Sequence, residues 1–121
     1  MRKQARHRNS VLPLGIKNRM QTELPALVAL TAIGHTWFSD QHQTDLLAVA
    51  LVVQEMAPAA SLQSLCATEL QRLCEDTITN EHKAAVALNL AECLPWLQMQ
   101  QNFKIDRALQ AVAARHFVQA A

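Results

Sequence analysis

At 121 residues the chain has the size of one ordinary domain, long enough for a single core and too short for two. Two glycines, four prolines and no tyrosine, against many Ala, Leu and Gln, deny it the turn residues and β-formers that a sheet of short strands needs, so the expected class is all-α. The formal net charge of +1 conceals an imbalance: residues 1–22 carry Arg2, Lys3, Arg6, Arg8, Lys17 and Arg19 with no acid, a formal +6, whereas the remainder sets ten acids against five cations.

Residues 1–21 have little apolar periodicity and are read as a basic extended arm, with residues 22–121 as one helical domain. The cations at the start are not followed by an apolar run, so no secretory signal is expected, and no apolar stretch approaches the length of a membrane span. Thr22 is a candidate N-cap for a first helix that tolerates Pro25 in its first turn, turns Leu27, Leu30 and Ile33 or Val28 inward, and stops at Gly34. Asp40-Gln-His-Gln43 has the form of a capping box, predicting a second helix from Asp40. Its stripe Leu46, Val49, Ala50, Val53 and Met56 is supplemented by Leu47, Leu51 and Val52, the pattern of a central helix touched on several sides, and Ala57-Pro58 ends it. The third helix begins between Pro58 and Ser61 and carries Leu62, Leu65, Cys66, Leu70, Leu73 and Cys74 at helical spacing. Thr79 or Asn80 caps a fourth, with the stripe Ala87, Leu90, Ala91, Leu94 and Leu97 and a kink or break at Pro95. The last, from about Lys104, repeats the stripe with Ile105, Ala108, Leu109, Val112 and Ala113. Five helices with short connections predict a compact, mostly antiparallel bundle.

The candidate chemistry is sparse. Three cysteines, Cys66, Cys74 and Cys93, give an odd count without a C-x-x-C pair, so buried free thiols are expected in place of a disulfide framework or a zinc site. The stretch Gly34-His-Thr-Trp-Phe-Ser-Asp-Gln-His42 gathers His35, Asp40 and His42, which could hold a metal or exchange protons if they converged. H-x4-D-x-H is no established ligand spacing, however, and the favoured reading is a helix corner closed by Trp37 and Phe38. Glu81-His82 lacks the second histidine of a zinc helix, and nucleophile-elbow and phosphate-loop patterns do not occur. No cofactor and no enzyme activity are therefore expected.

Two features suit contact with another macromolecule. The density of cations in the arm would neutralise phosphates in nucleic acid, or dock on an acidic protein surface such as the body of a second copy. It holds no aromatic for base stacking. Trp96 and Met99, amid Gln98, Gln100 and Gln101, form a candidate interface patch, although core filling is the preferred reading for Trp96.

The segment Leu14-Gly-Ile-Lys-Asn18, then Pro25-Ala-Leu-Val-Ala-Leu30, His42 with Leu46-Leu47, and Met56-Ala57 resembles a family of small phage and prophage proteins of uncharacterised function. Leu88-Asn-Leu-Ala-Glu92 and the closing Ala108-Leu109, Val112 and Arg115 extend the similarity over residues 2–116, with Pro95 departing from it. The resemblance implies a phage-encoded accessory factor and supplies no catalytic residue or mechanism; the chain is expected in the cytoplasm of a bacterial host, binding a host protein or its own copies.

Overall fold

The computed structural model describes residues 22–117, with the side chain of Phe117 excepted. Five α-helices follow in chain order: α1 (Leu24–Ala32), α2 (Asp40–Met56), α3 (Leu62–Cys74), α4 (Lys83–Gln98) and α5 (Asn102–Val112). A 3-10 turn at Asn80–His82 leads into α4, and a π turn at Ala113–Phe117 follows α5. There is no strand among the described residues, and no helix is long and apolar enough to cross a membrane.

The apolar excess of α2 has a structural purpose. It buries Leu46, Val49, Ala50, Leu51, Val52 and Val53 and packs against all four other helices, so it needs apolar residues on more than one face. Its C-terminus closes as expected: Ala57 is extended, donates its N–H to the Val53 carbonyl at 2.7 Å, and Pro58 follows. Hydrogen bonds fix the helix directions. At the start of α2 the Gln43 side-chain amide donates to the carbonyls of Cys74, the last residue of α3, and of Asp76 beyond it, while Gln54 near the end of α2 donates to the Ala67 carbonyl and the Gln71 side chain. The two helices therefore run antiparallel. Cys93 of α4 faces the Gln63 carbonyl at the start of α3, and α1 lies against α4, Leu27 and Leu30 lining a shared groove with Leu90 and Leu94. Helix α5 crosses the end of α2, where Arg115 forms an ion pair with Glu55.

Several local expectations are corrected, among them the N-cap of α1, which is Glu23 and not Thr22. First, α1 does not bury its large residues: Ala26, Ala29 and Ala32 have no exposed surface, and Ile33 is buried, whereas Leu24, Leu27 and Val28 are 49%, 41% and 52% exposed. The inter-axial distance at a helix contact is set by the side chains there, so an alanine face lets α1 lie close to α2 and leaves Leu24 and Leu27 outside, while Leu30 packs in part against the core as expected. Secondly, the N-cap of α2 is Ser39 and not Asp40, which is instead the first helical residue. Thirdly, Leu62 and Leu65 of α3 point outward, and the buried face is Ala67, Leu70, Leu73 and Cys74. Lastly, Pro95 does not split α4, which continues to Gln98. The proline lies within a turn of the helix end, and both it and Ala91, whose carbonyl it deprives of a donor, are exposed, so water can replace the lost partner. Helix α5 also starts two residues before Lys104, with Ile105, Ala108 and Val112 inward as expected.

Candidate functional site

The corner Gly34–His42 is built by two terminations. Helix α1 ends at Ala32 and the chain turns at Gly34, whose φ of +88° suits a residue without a Cβ, and the His35 N–H closes the turn on the Ala32 carbonyl at 2.9 Å. Helix α2 starts at Ser39, in extended backbone, whose Oγ accepts from the His42 N–H at 3.4 Å. The reciprocal bond comes from an imidazole: the Ser39 N–H donates to His42 Nδ1 at 2.9 Å. Glutamate or glutamine normally fills that place in a capping box. With Nδ1 accepting, the proton of the neutral ring sits on Nε2.

The rings of the corner touch one another. His35 stacks on Trp37 with centroids 5.7 Å apart, Trp37 meets His42 edge-on at 5.6 Å, and Phe38 stacks on His42 at 5.7 Å. Phe38 reaches the core, while Trp37 remains 50% exposed and closes the end only in part. His35, Asp40 and His42 do not assemble as ligands. Asp40 is exposed in the first turn of α2, His42 is committed to the cap, and no group of three or more His, Cys, Asp or Glu side chains among the described residues is placed to hold a metal ion.

A second corner repeats the first. The Thr79 N–H donates to His82 Nδ1 at 3.0 Å, with the Thr79 hydroxyl 3.2 Å from the same nitrogen. Sequence reasoning passed over this pair, although the signal is present: Ser-Asp-Gln-His at 39–42 and Thr-Asn-Glu-His at 79–82 share the order hydroxyl, Asx, Glx, His. The two corners adjoin, since a Cβ added to Gly34 would lie 2.5 Å from Asn80 Oδ1.

The outward leucines of α1 open onto a shallow groove between α1 and α4. Glu23, Leu27 and Leu30 line it from the α1 side, and Ala87, Leu90, Ala91, Leu94 and Pro95 line it from α4. Its apolar lining arises because α4 presents alanines there, leaving the gap between the helices unfilled.

The remaining candidates separate. Trp96 is half-buried against the core, as preferred from its sequence context, and its carbonyl accepts from the Gln100 side chain at 3.0 Å. Met99, just beyond, is 82% exposed. Arg107 lies over the exposed ring of Phe103 at 5.8 Å. Cys74 and Cys93 are buried free thiols pushed up to about 12 by desolvation, with lesser contributions from Glu75 for the first and from Cys66 and Glu92 for the second. Cys66 is half-buried and raised in the same direction by desolvation and then by Glu92. Thiols held neutral in this way are poor nucleophiles. Arg2, Lys3, Arg6, Arg8, Lys17 and Arg19, the residues of the basic arm, lie outside the described residues. No family model matches the chain, and comparison with curated proteins and with solved structures finds no match.

Proposed function

We propose that the chain is a non-enzymatic accessory protein, of the phage or prophage kind its sequence resembles, that acts by binding a macromolecular partner. The partner is a protein, either a host factor whose activity it regulates or a second copy. The observation that carries this reading is the inverted economy of α1: alanines occupy the core side, Leu24, Leu27 and Val28 face outward, and Leu27 lines an apolar groove. A helix that holds its large apolar side chains in water gains from burying them elsewhere, by about 1.5–3 kcal/mol for each one fully covered. Glu23 is the charged residue in the groove's lining, so a partner with a basic group beside an apolar anchor is favoured. The arm, Arg2, Lys3, Arg6, Arg8, Lys17 and Arg19, supplies a second, electrostatic contact.

The test is the pair of substitutions Leu27→Glu and Val28→Glu, assayed by light scattering for self-association and by affinity capture from a bacterial lysate. Both positions are exposed, so the variant keeps its helical circular dichroism. Its association weakens on the order of a hundredfold, from the loss of two anchors at about 1.4 kcal/mol per factor of ten. Unchanged self-association together with unchanged capture removes the α1 face from the account.

A second reading, nucleic-acid binding through the arm, is favoured by the six unopposed cations in residues 1–22. Affinity for DNA or RNA would then fall roughly a thousandfold between 50 and 200 mM salt if all six contact phosphate. Absence of retention at low salt removes it.

A further inference from the structure

The two histidine-closed capping boxes belong to one end of the bundle. Their shared feature is chemical: in each, the N–H of the N-cap residue, Ser39 or Thr79, donates to a neutral imidazole Nδ1 three residues on. Glutamine in that position would accept at any pH, and glutamate until it is protonated well into the acid range. Imidazole loses its acceptor when it takes a second proton, because both ring nitrogens are then donors. The resulting cation would face a backbone N–H at 2.9 Å in one box and 3.0 Å in the other, beside the positive end of a helix.

We propose that His42 and His82 form a paired acid-responsive cap, closing the start of α2 and the 3-10 turn that leads into α4 when neutral and releasing both when protonated. The surroundings give the protonated rings somewhere to go. The segments gathered at this end bring carboxylates from three sides: Asp40 and Asp45 on α2, Glu75 and Asp76 after α3, and Glu81 next to His82. The other titratable groups there are His35, which reaches His42 through Trp37, the buried Cys74 thiol, and the cations Lys83 and Arg72, the latter within electrostatic reach of Asp76. A ring that leaves the cap as a cation therefore exchanges a repulsive helix terminus for an acidic surface. The rings are also linked to the wider corner. His42 holds the edge of Trp37 and the face of Phe38, so its release frees the exposed indole, and Asn80, inside the second box, lies against Gly34 of the first corner. This device does not depend on the α1 face being a binding surface.

Two measurements on the full chain test it. In long-range proton–nitrogen NMR at pH 8, His42 and His82 appear as the Nε2-protonated tautomer; an Nδ1-protonated ring at either position overturns the proposal. Thermal unfolding is then followed at pH 8 and pH 5.5. The native protein loses about 4–8 °C in Tm for each cap released, whereas the double variant His42→Gln/His82→Gln, which keeps a neutral acceptor, loses only a small part of that. His35→Ala retains the full loss. An equal loss in the native protein and the double variant, or none in the native protein, overturns the proposal, and the NMR result stands whether or not the variant folds.

Discussion

Replacing Gly34 by alanine tests whether the two corners meet as described. Gly34 has φ +88°, a conformation that costs an L-residue about 1–2 kcal/mol. The new Cβ would also lie 2.5 Å from Asn80 Oδ1, 3.0 Å from its Cγ and 3.2 Å from its Cβ, so the Asn80 side chain must move as a whole. Displacing that side chain adds about 1 kcal/mol of strain. Reduced freedom of the unfolded chain returns about 0.4–1 kcal/mol at positions that alanine fits, and this position is not one of them. Gly34→Ala should therefore destabilise by about 2–3 kcal/mol, close to 10 °C in Tm for a domain of this size. The assay is urea unfolding of the double-mutant cycle with Asn80→Ala. Shortening Asn80 removes the contact but not the backbone strain, so the glycine replacement costs about 1 kcal/mol less in the Asn80→Ala background. Equal costs in both backgrounds would show that the corners do not touch and would refute the reasoning.

Three further outcomes follow from the packing and the thiols. Ala29→Leu, on the buried face of α1, should destabilise by about 1–3 kcal/mol in urea unfolding, whereas Leu27→Ser on the outer face should stay within about 0.5 kcal/mol. Ala60 is exposed at φ +65°, so Ala60→Gly should raise stability by up to about 1 kcal/mol, read as a higher urea midpoint at constant slope. Burial holds Cys74 and Cys93 above the ordinary thiol value near 9, so the neutral form favours the fold; that contribution is full below about pH 9 and is lost as pH rises towards about 12. Alkaline titration of Tm should show the loss over this window, and replacement of both cysteines by alanine should flatten it.

Most of the fold was legible from residue spacing because α2 dominates it. Leu46 to Val53 supplies apolar residues on several faces, and only a helix with neighbours on those faces can bury them. Pro58 and Gly34 were read correctly since each acts through its own backbone. The misjudged faces of α1 and α3 have a common origin in ranking residues by hydrophobicity alone. In α1 the alanine stripe 26, 29 and 32 competes with the leucine and valine stripe, and close approach to α2 decides in favour of the smaller residues. In α3 the same competition exposes Leu62 and Leu65 and buries Ala67. The cap moved by one residue because Ser39 and Asp40 are both good acceptors, and the deciding partner, His42, is not the usual Glu or Gln. The groove between α1 and α4 has no sequence signature, because it is made by the register of two helices more than fifty residues apart.

The central claim is that the outer face of α1 binds a partner. Its most direct test is photo-crosslinking in bacteria from an unnatural amino acid at position 27, with position 68 on the exposed side of α3 as the control. The account predicts a discrete adduct from position 27, of a second copy or of one protein, that is absent from position 68. No adduct at position 27, or the same adducts from both positions, would contradict it.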